Sequence, residues 1–291
     1  MARWLLYSLL AIAMWGGWGL LGKLTKLDEL LLTALSTLGV VAVALALLLS
    51  PRLRQGTNLR RGMAVAFVTG IFGNLGNLAL LKALKLGEAS IVAPYTALYP
   101  VVTVVLARIV LRERLNAIQT FGFLLALVAA GLFSYLGNPE MKQGFVLGPW
   151  MIWATGTVVC FGIAAVTQKI ATNHISNELS LVCFAASFVP VGAAILVWGG
   201  PFSWAIPTRE WIIALLYGSG IGLGTLVLFA AYRWGNASVV TALTGLYPAL
   251  TAVLAMAIPY FHEGCTTLKI AAIALAAVAG AALTYEKPAH A

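Results

Sequence analysis

Apolar residues fill the chain in long runs, and polar residues gather in the short stretches between them. A helical membrane span needs about 20 mostly apolar residues. By that measure the pattern predicts ten transmembrane helices, over residues 4–22, 29–50, 62–81, 89–111, 117–137, 146–168, 179–199, 210–231, 237–260 and 267–285. The connections are short throughout, and no soluble domain is expected. The first run, preceded by Arg3, has the outline of a signal peptide. Its Trp15-Gly16-Gly17-Trp18 stretch makes a poor cleavage region and further spans follow, so it reads as the first membrane helix.

Within this pattern one stretch occurs twice. ASIVAPYTALYPVVTVVLA, from residue 89, and ASVVTALTGLYPALTAVLA, from residue 237, align at an offset of 148. Apolar composition alone does not align Tyr99-Pro100 with Tyr247-Pro248, Ser90 with Ser238, Thr96 with Thr244, or Thr103 with Thr251. Weaker matches extend the repeat: Gly76 faces Gly224, Asn77 faces Thr225, and Trp15-Gly16 faces Phe161-Gly162 after a two-residue shift. The expected organisation is an all-α integral membrane protein with ten transmembrane helices. They fall into two five-helix repeats, residues 1–144 and 145–291. Five is odd, so the second repeat enters the membrane from the opposite side and the two are inverted. Inverted repeats are a common plan of secondary transporters, with a site near the bilayer midplane.

The Tyr-Pro pairs sit near the middle of their spans. Proline removes a backbone hydrogen bond, and the carbonyl it frees finds no water in lipid. Kinks at Pro94, Pro100 and Pro248 should therefore face protein or a water-filled cavity. Tyr99 and Tyr247 lie away from the interfacial belt where tyrosine usually sits. They are read either as bonding a neighbouring helix or as lining a central cavity, and recurrence at the midplane favours the cavity. Tyr95, beside Pro94, and Thr157, in the sixth span, join them as candidates.

Other polar groups at depth narrow the picture. Asn74 and Asn77 are three residues apart on one helix face, with Gly70 and Gly73 on the same side. Two amides are costly in lipid, so that face should point inward, toward a substrate or another helix. Trp15 and Trp18 share a face in mid-span, where tryptophans pack or line a pocket. Trp4 and Trp150 are expected at the interface, and Lys82 and Lys85 should reach up to it. Thr225 stands opposite Asn77 in the repeat. The nine acidic residues all fall at span ends or in loops. Proton coupling through a buried carboxylate is therefore not expected, and Glu88 reads as a helix-start carboxylate. The inferred cavity is aromatic, bears amides and is nearly uncharged. It suits a neutral or zwitterionic small molecule.

Composition agrees and adds orientation. The chain has 291 residues, 61% hydrophobic and 9% charged, against about 25% charged in an ordinary soluble domain. Its net charge of +9 is spread between apolar runs, which points to lipid headgroups and topology and away from nucleic acid. The basic loop PRLRQGTNLRR weights one side and predicts both termini in the cytoplasm. The three cysteines show no ligand spacing, and neither metal nor cofactor is expected. No nucleophile or triad appears, so no enzyme is proposed.

The segment ALKLGEASIVAPYTALYPVVTVVLARIVLRERLNAIQTFGFLLALVAAGL resembles an EamA domain of the drug/metabolite transporter superfamily. The Gly-Glu-Ala-Ser start, the Tyr-Pro centre and the Arg-Glu-Arg-Leu exit carry the likeness. The second half repeats it with Gly235-Asn236 at the start and Phe261-His262-Glu263-Gly264 at the exit. The resemblance implies ten helices, cytoplasmic termini and a cavity lined by spans 1, 3, 4, 6, 8 and 9, with spans 5 and 10 peripheral. It also implies a multi-pass plasma (inner) membrane protein, a monomer or homodimer. The activity it implies is export of amino acids or similar metabolites by alternating access. The runner-up is a lipid translocase or an accessory subunit of envelope lipid or glycan synthesis.

Overall fold

The computed structural model describes residues 3–110, 116–137, 148–234, 240, 244–245, 247–258, 266–283 and 285. The side chains of Pro94 and Pro248, the exit motifs at 111–115 and 261–264, and Cys265 lie outside the described residues.

Helices account for the described regular structure, with one isolated backbone bridge, Gly56 to Ile175. In chain order they are α1 (Arg3–Leu24), α2 (Glu29–Leu47), α3 (Leu59–Leu86), α4 (Ala89–Thr96), α5 (Tyr99–Val110) and α6 (Ala117–Gly137). After these come α7 (Pro149–Thr172), α8 (Asn177–Trp198), α9 (Thr208–Trp234), α10 (Tyr247–Ala257) and α11 (Thr267–Leu283). Six of them are long and apolar enough to cross a bilayer: α1, α2, α3, α7, α8 and α9. Shorter apolar helices lie within α5, α6 and α11. Leucine, isoleucine, valine and tryptophan side chains stand exposed along many of these helices, as lipid-facing residues do. The chain is a multi-pass integral membrane protein.

Local chemistry sets the helix starts. Asp28 accepts from the Leu30 amide to begin α2, and Ser176, its equivalent at offset 148, accepts from Leu179 to begin α8. Asn58 does the same for α3, and Pro149 opens α7 behind Gly148.

One expectation is corrected. The span over 89–111 is two helices, broken at Ala97–Leu98, rather than one kinked helix. Pro100 has no N–H to offer the Thr96 carbonyl, and it fits better in the first turn of a new helix. It is the second residue of α5. The Val101 amide bonds back to Leu98 at 2.9 Å and starts that turn. The second copy follows suit: Val240 and Thr244 are helical, Gly245 is in a turn, and α10 begins at Tyr247. Gly245 and Ala97 are 148 residues apart.

The packing is built from equivalent contacts. Along α3 and α7, Thr69 meets Thr167, Gly76 meets Phe161, and Ala79 lies over Gly156, so the two run antiparallel. Along α1 and α9, Trp15 meets Gly224, Trp18 meets Gly220, and Gly22 meets Tyr217, again antiparallel. A Cβ on Gly76 would strike Phe161, and one on Gly224 would strike Trp15. Gly70 lies against the Phe184 carbonyl of α8, while Gly218 lies against the Ser36 carbonyl of α2. The Gly76–Phe161 and Gly224–Trp15 contacts are equivalent at offsets of 148 and 146, and the Gly70–Phe184 and Gly218–Ser36 contacts at 148. Small residues let these backbones approach, which is how helices associate where lipid is as apolar as leucine. Away from this core, α6 and α11 pack on each other through Ala126, Ala129, Ala272, Ala276 and Ala279.

Candidate functional site

The two chain breaks bring Tyr99 and Tyr247 to the middle of the bundle. Tyr99 meets Phe161 edge-on, with ring centroids 6.3 Å apart, and Tyr247 meets Trp15 edge-on at 5.4 Å. Beneath each break a threonine anchors the restarted helix. Thr103 donates to the Gly162 carbonyl at 3.4 Å, and Thr251 donates to the Gly16 carbonyl at 3.0 Å. Gly162 leaves room for Val102, and Gly16 for Leu250. Each half thus presents one tyrosine held by the first helix of the other half.

Between them lies a cavity of about 110 Å³. At roughly 10–15 Å³ per water, that is room for several waters or a small solute. Trp15, Trp18, Asn77, Tyr99, Thr225 and Tyr247, six of the residues singled out by sequence, line it. Three others do not. Asn74 is fully buried in α3 outside the lining. Thr157 is bound into the α3–α7 seam by the Gly76 carbonyl at 3.2 Å. Tyr95 bonds Thr155 at 2.9 Å and packs edge-on against Trp150, farther along the bundle. Trp150 itself is buried against the bundle. Of the expected kink prolines, Pro100 is buried at the start of α5.

Sequence reasoning missed Thr69, Gln168, Phe161 and Phe184 in the lining, and Tyr217 behind it. Gln168 is a lone amide near the end of an apolar run, a signal that was readable. The Tyr217 hydroxyl donates to Asn77 Oδ1, and its ring packs on Trp18 at 5.2 Å. Its partners lie on two other helices, which spacing along α9 does not reveal. Among the described residues that line the cavity none is charged.

Charged groups lie instead at the ends. Where α1 leads into α2, Glu210 of α9 is only 4% exposed. It accepts from the Thr25 hydroxyl at 2.6 Å, the Lys26 amide at 3.0 Å and Arg209 at 2.7 Å. At the same end Glu29 pairs with Lys82, and with Lys85 at 3.4 Å. The two lysines are therefore tied to a neighbouring helix, not free at the surface, because a buried carboxylate needs cations close by. The equivalent place at the opposite end holds Asn177, whose Oδ1 accepts from Arg233 at 3.0 Å. There the α3–α7 join is made by backbone: the Thr57 amide bonds the His174 carbonyl at 2.8 Å, and the Ser176 amide bonds the Gln55 carbonyl at 2.9 Å. Glu88 opens α4 as expected and pairs with Lys269.

No curated protein matches this sequence. A solved structure titled "Crystal structure of protein" superposes with a TM-score of 0.67 at 21% identity, covering 97% of this chain and 96% of that one. At that identity the match speaks for the fold. The family model for the EamA-like transporter family matches twice, over residues 2–135 and 148–285. These matches coincide with the two copies of the Tyr-Pro break, and the chain belongs to the EamA-like transporter family, with two EamA domains.

Proposed function

We propose that this protein is a secondary carrier exporting amino acids or similar neutral or zwitterionic small metabolites by alternating access. The observation that carries the reading is the cavity between two equivalent broken helices, walled by rings and uncharged polar groups. In this reading the chain crosses the plasma (inner) membrane ten times as two inverted five-helix halves, domains 1–144 and 145–291, with both termini cytoplasmic. The directions of α1, α3, α7 and α9 support the inversion. The α1 end meets the α3 end, where Gly22 packs on Leu81, while α7 runs against α3. The first helices of the two halves therefore run oppositely.

With the termini cytoplasmic, the Glu210 end is the outer face. The candidate contacts to solute are Trp15, Trp18, Asn77, Tyr99, Thr225 and Tyr247. Helices broken in the middle of the bundle suit such a site. The rings supply apolar contact and a surface for a cationic amine. The protein works as a monomer or homodimer in the lipid bilayer. No route through a buried carboxylate is assigned, since the carboxylates that face inward are occupied at the ends.

The test is counterflow in liposomes carrying the purified protein, with labelled neutral amino acids. Saturable exchange that Tyr247→Phe leaves folded but slows supports the carrier. Absence of exchange for every solute tried, with lipid flip-flop accelerated, would establish the lipid translocase reading in its place.

A further inference from the structure

Two side-chain N–H groups of cavity-lining residues have no partner among the described residues: Nε1 of Trp18 and Nδ2 of Asn77. Both residues line the cavity, and both are deeply buried, Trp18 at 5% exposure and Asn77 at 3%. A buried donor left unsatisfied costs free energy comparable to a lost hydrogen bond. Two such donors on one wall make a site that gains by receiving an acceptor.

The orientation of the pair is set by a third residue. The Tyr217 hydroxyl occupies Asn77 Oδ1, so the amide has only its NH2 left to offer. The Tyr217 ring also packs against Trp18. Trp18, Tyr217 and Asn77 are thus one cluster drawn from α1, α9 and α3, with two side-chain N–H donors left unbonded among the described residues. No lysine or arginine is among the described lining residues. An oxygen bound there is read by neutral N–H groups and not by charge.

We propose that Trp18 and Asn77 form an acceptor subsite that takes the carbonyl or carboxylate oxygen of a small solute, whose apolar body lies against the surrounding rings. The proposal rests on the carrier reading for its solute but not for its chemistry. Because the donors are neutral, a carboxamide satisfies the subsite as a carboxylate does. Tyr217 is a positioning residue: it holds the Asn77 amide and touches no solute.

Three probes of one shape test it: leucine, leucinamide and 3-methylbutylamine, which lacks the oxygen. Binding to the purified full-length protein is followed by tryptophan fluorescence and thermal shift at up to millimolar concentration. Leucine and leucinamide should each bind about tenfold tighter than the amine. Trp18→Phe keeps the ring and removes the N–H. It should weaken leucinamide by about tenfold and change the amine by no more than about twofold. Asn77→Asp keeps the shape, exchanges donor for acceptor and should reverse the preference in favour of the amine.

Elution volume and Tm report whether each variant is folded. Equal losses for leucinamide and the amine in Trp18→Phe, no preference in the unaltered protein, or no binding of any probe would each overturn the subsite. Leucine flux in liposomes is read separately. Selective binding without flux defeats the carrier reading and leaves the subsite standing, whereas flux without selectivity defeats the subsite alone.

Discussion

Tyr217 and Thr69 occupy the same place in the repeat, 148 residues apart, and so do Asn77 and Thr225. With the two-residue shift of the first helices, Trp18 corresponds to Ala164. On the side toward Glu210 the larger set, Trp18, Tyr217 and Asn77, packs into a bonded cluster. On the other side the smaller set, Ala164, Thr69 and Thr225, leaves space, and all three line the cavity. Thr69 turns to Thr167 at 2.8 Å and does not reach across. A near-symmetric frame thus holds an asymmetric void. The frame comes from equivalent glycine contacts, and the void from side-chain volume at three paired positions.

The ends differ in the same sense. Glu210 fastens its end with bonds to a buried carboxylate, while at the opposite end Arg233 bonds the neutral Asn177 and the α3–α7 join is backbone to backbone. Separating the helices at the Glu210 end would break bonds to a carboxylate, which are roughly twice as strong as neutral ones.

The sharpest way to break the comparison is to place the large residue on the empty side. Ala164→Trp should fill the cavity and abolish leucine exchange in liposomes, while the protein still elutes as a folded species. Next comes the latch. Glu210→Gln keeps the shape and loses the charge, at a cost of about 1.5–3 kcal/mol to the closed end. A membrane-impermeant maleimide added on the Glu210 side should then label Ile221→Cys at least about tenfold faster. No change in rate would mean that the latch does not hold that end shut.

The shared frame is tested by Gly218→Ala and Gly70→Ala. Each sets a Cβ against a backbone carbonyl, so each should destabilise by about 1–3 kcal/mol. Matching falls in Tm would show the two halves to be mechanically equivalent. The smallest effect belongs to Thr251→Val and Thr103→Val, each about 0.6 kcal/mol. Thr251 should cost more, since its bond to the opposite half is shorter, 3.0 Å against 3.4 Å.

Much of this was legible beforehand. The expected span at 117–137 is α6, and the starts at 29, 89 and 267 coincide with those of α2, α4 and α11. Apolar run length against bilayer thickness is a local rule, so it works residue by residue. Six cavity residues were readable because tryptophan, tyrosine and amides in mid-span are expensive unless they face protein or water. Asn74 was grouped with Asn77, yet residues three apart on a helix still diverge by about 60°. That angle turns Asn74 away from a narrow cavity. Tyr95 and Thr157 were polar in the right spans, but their partners, Thr155 and the Gly76 carbonyl, lie on other spans. Glu210 and Glu29 were correctly placed at span ends, but their burial depends on partners distant in the chain, the Thr25–Lys26 connection for one and the lysines of α3 for the other.

The sequence alone determined that the chain is built of apolar membrane helices, that its plan is written twice, and where proline disturbs two of them. Each follows from a constraint carried by the residues themselves: apolar length against the bilayer, matching positions at a fixed offset, and a proline without an N–H. Only the tertiary structure decided which of two equivalent faces is filled and which is hollow. That choice is made by side chains more than fifty residues apart meeting across helices, and their summed volume belongs to no single segment.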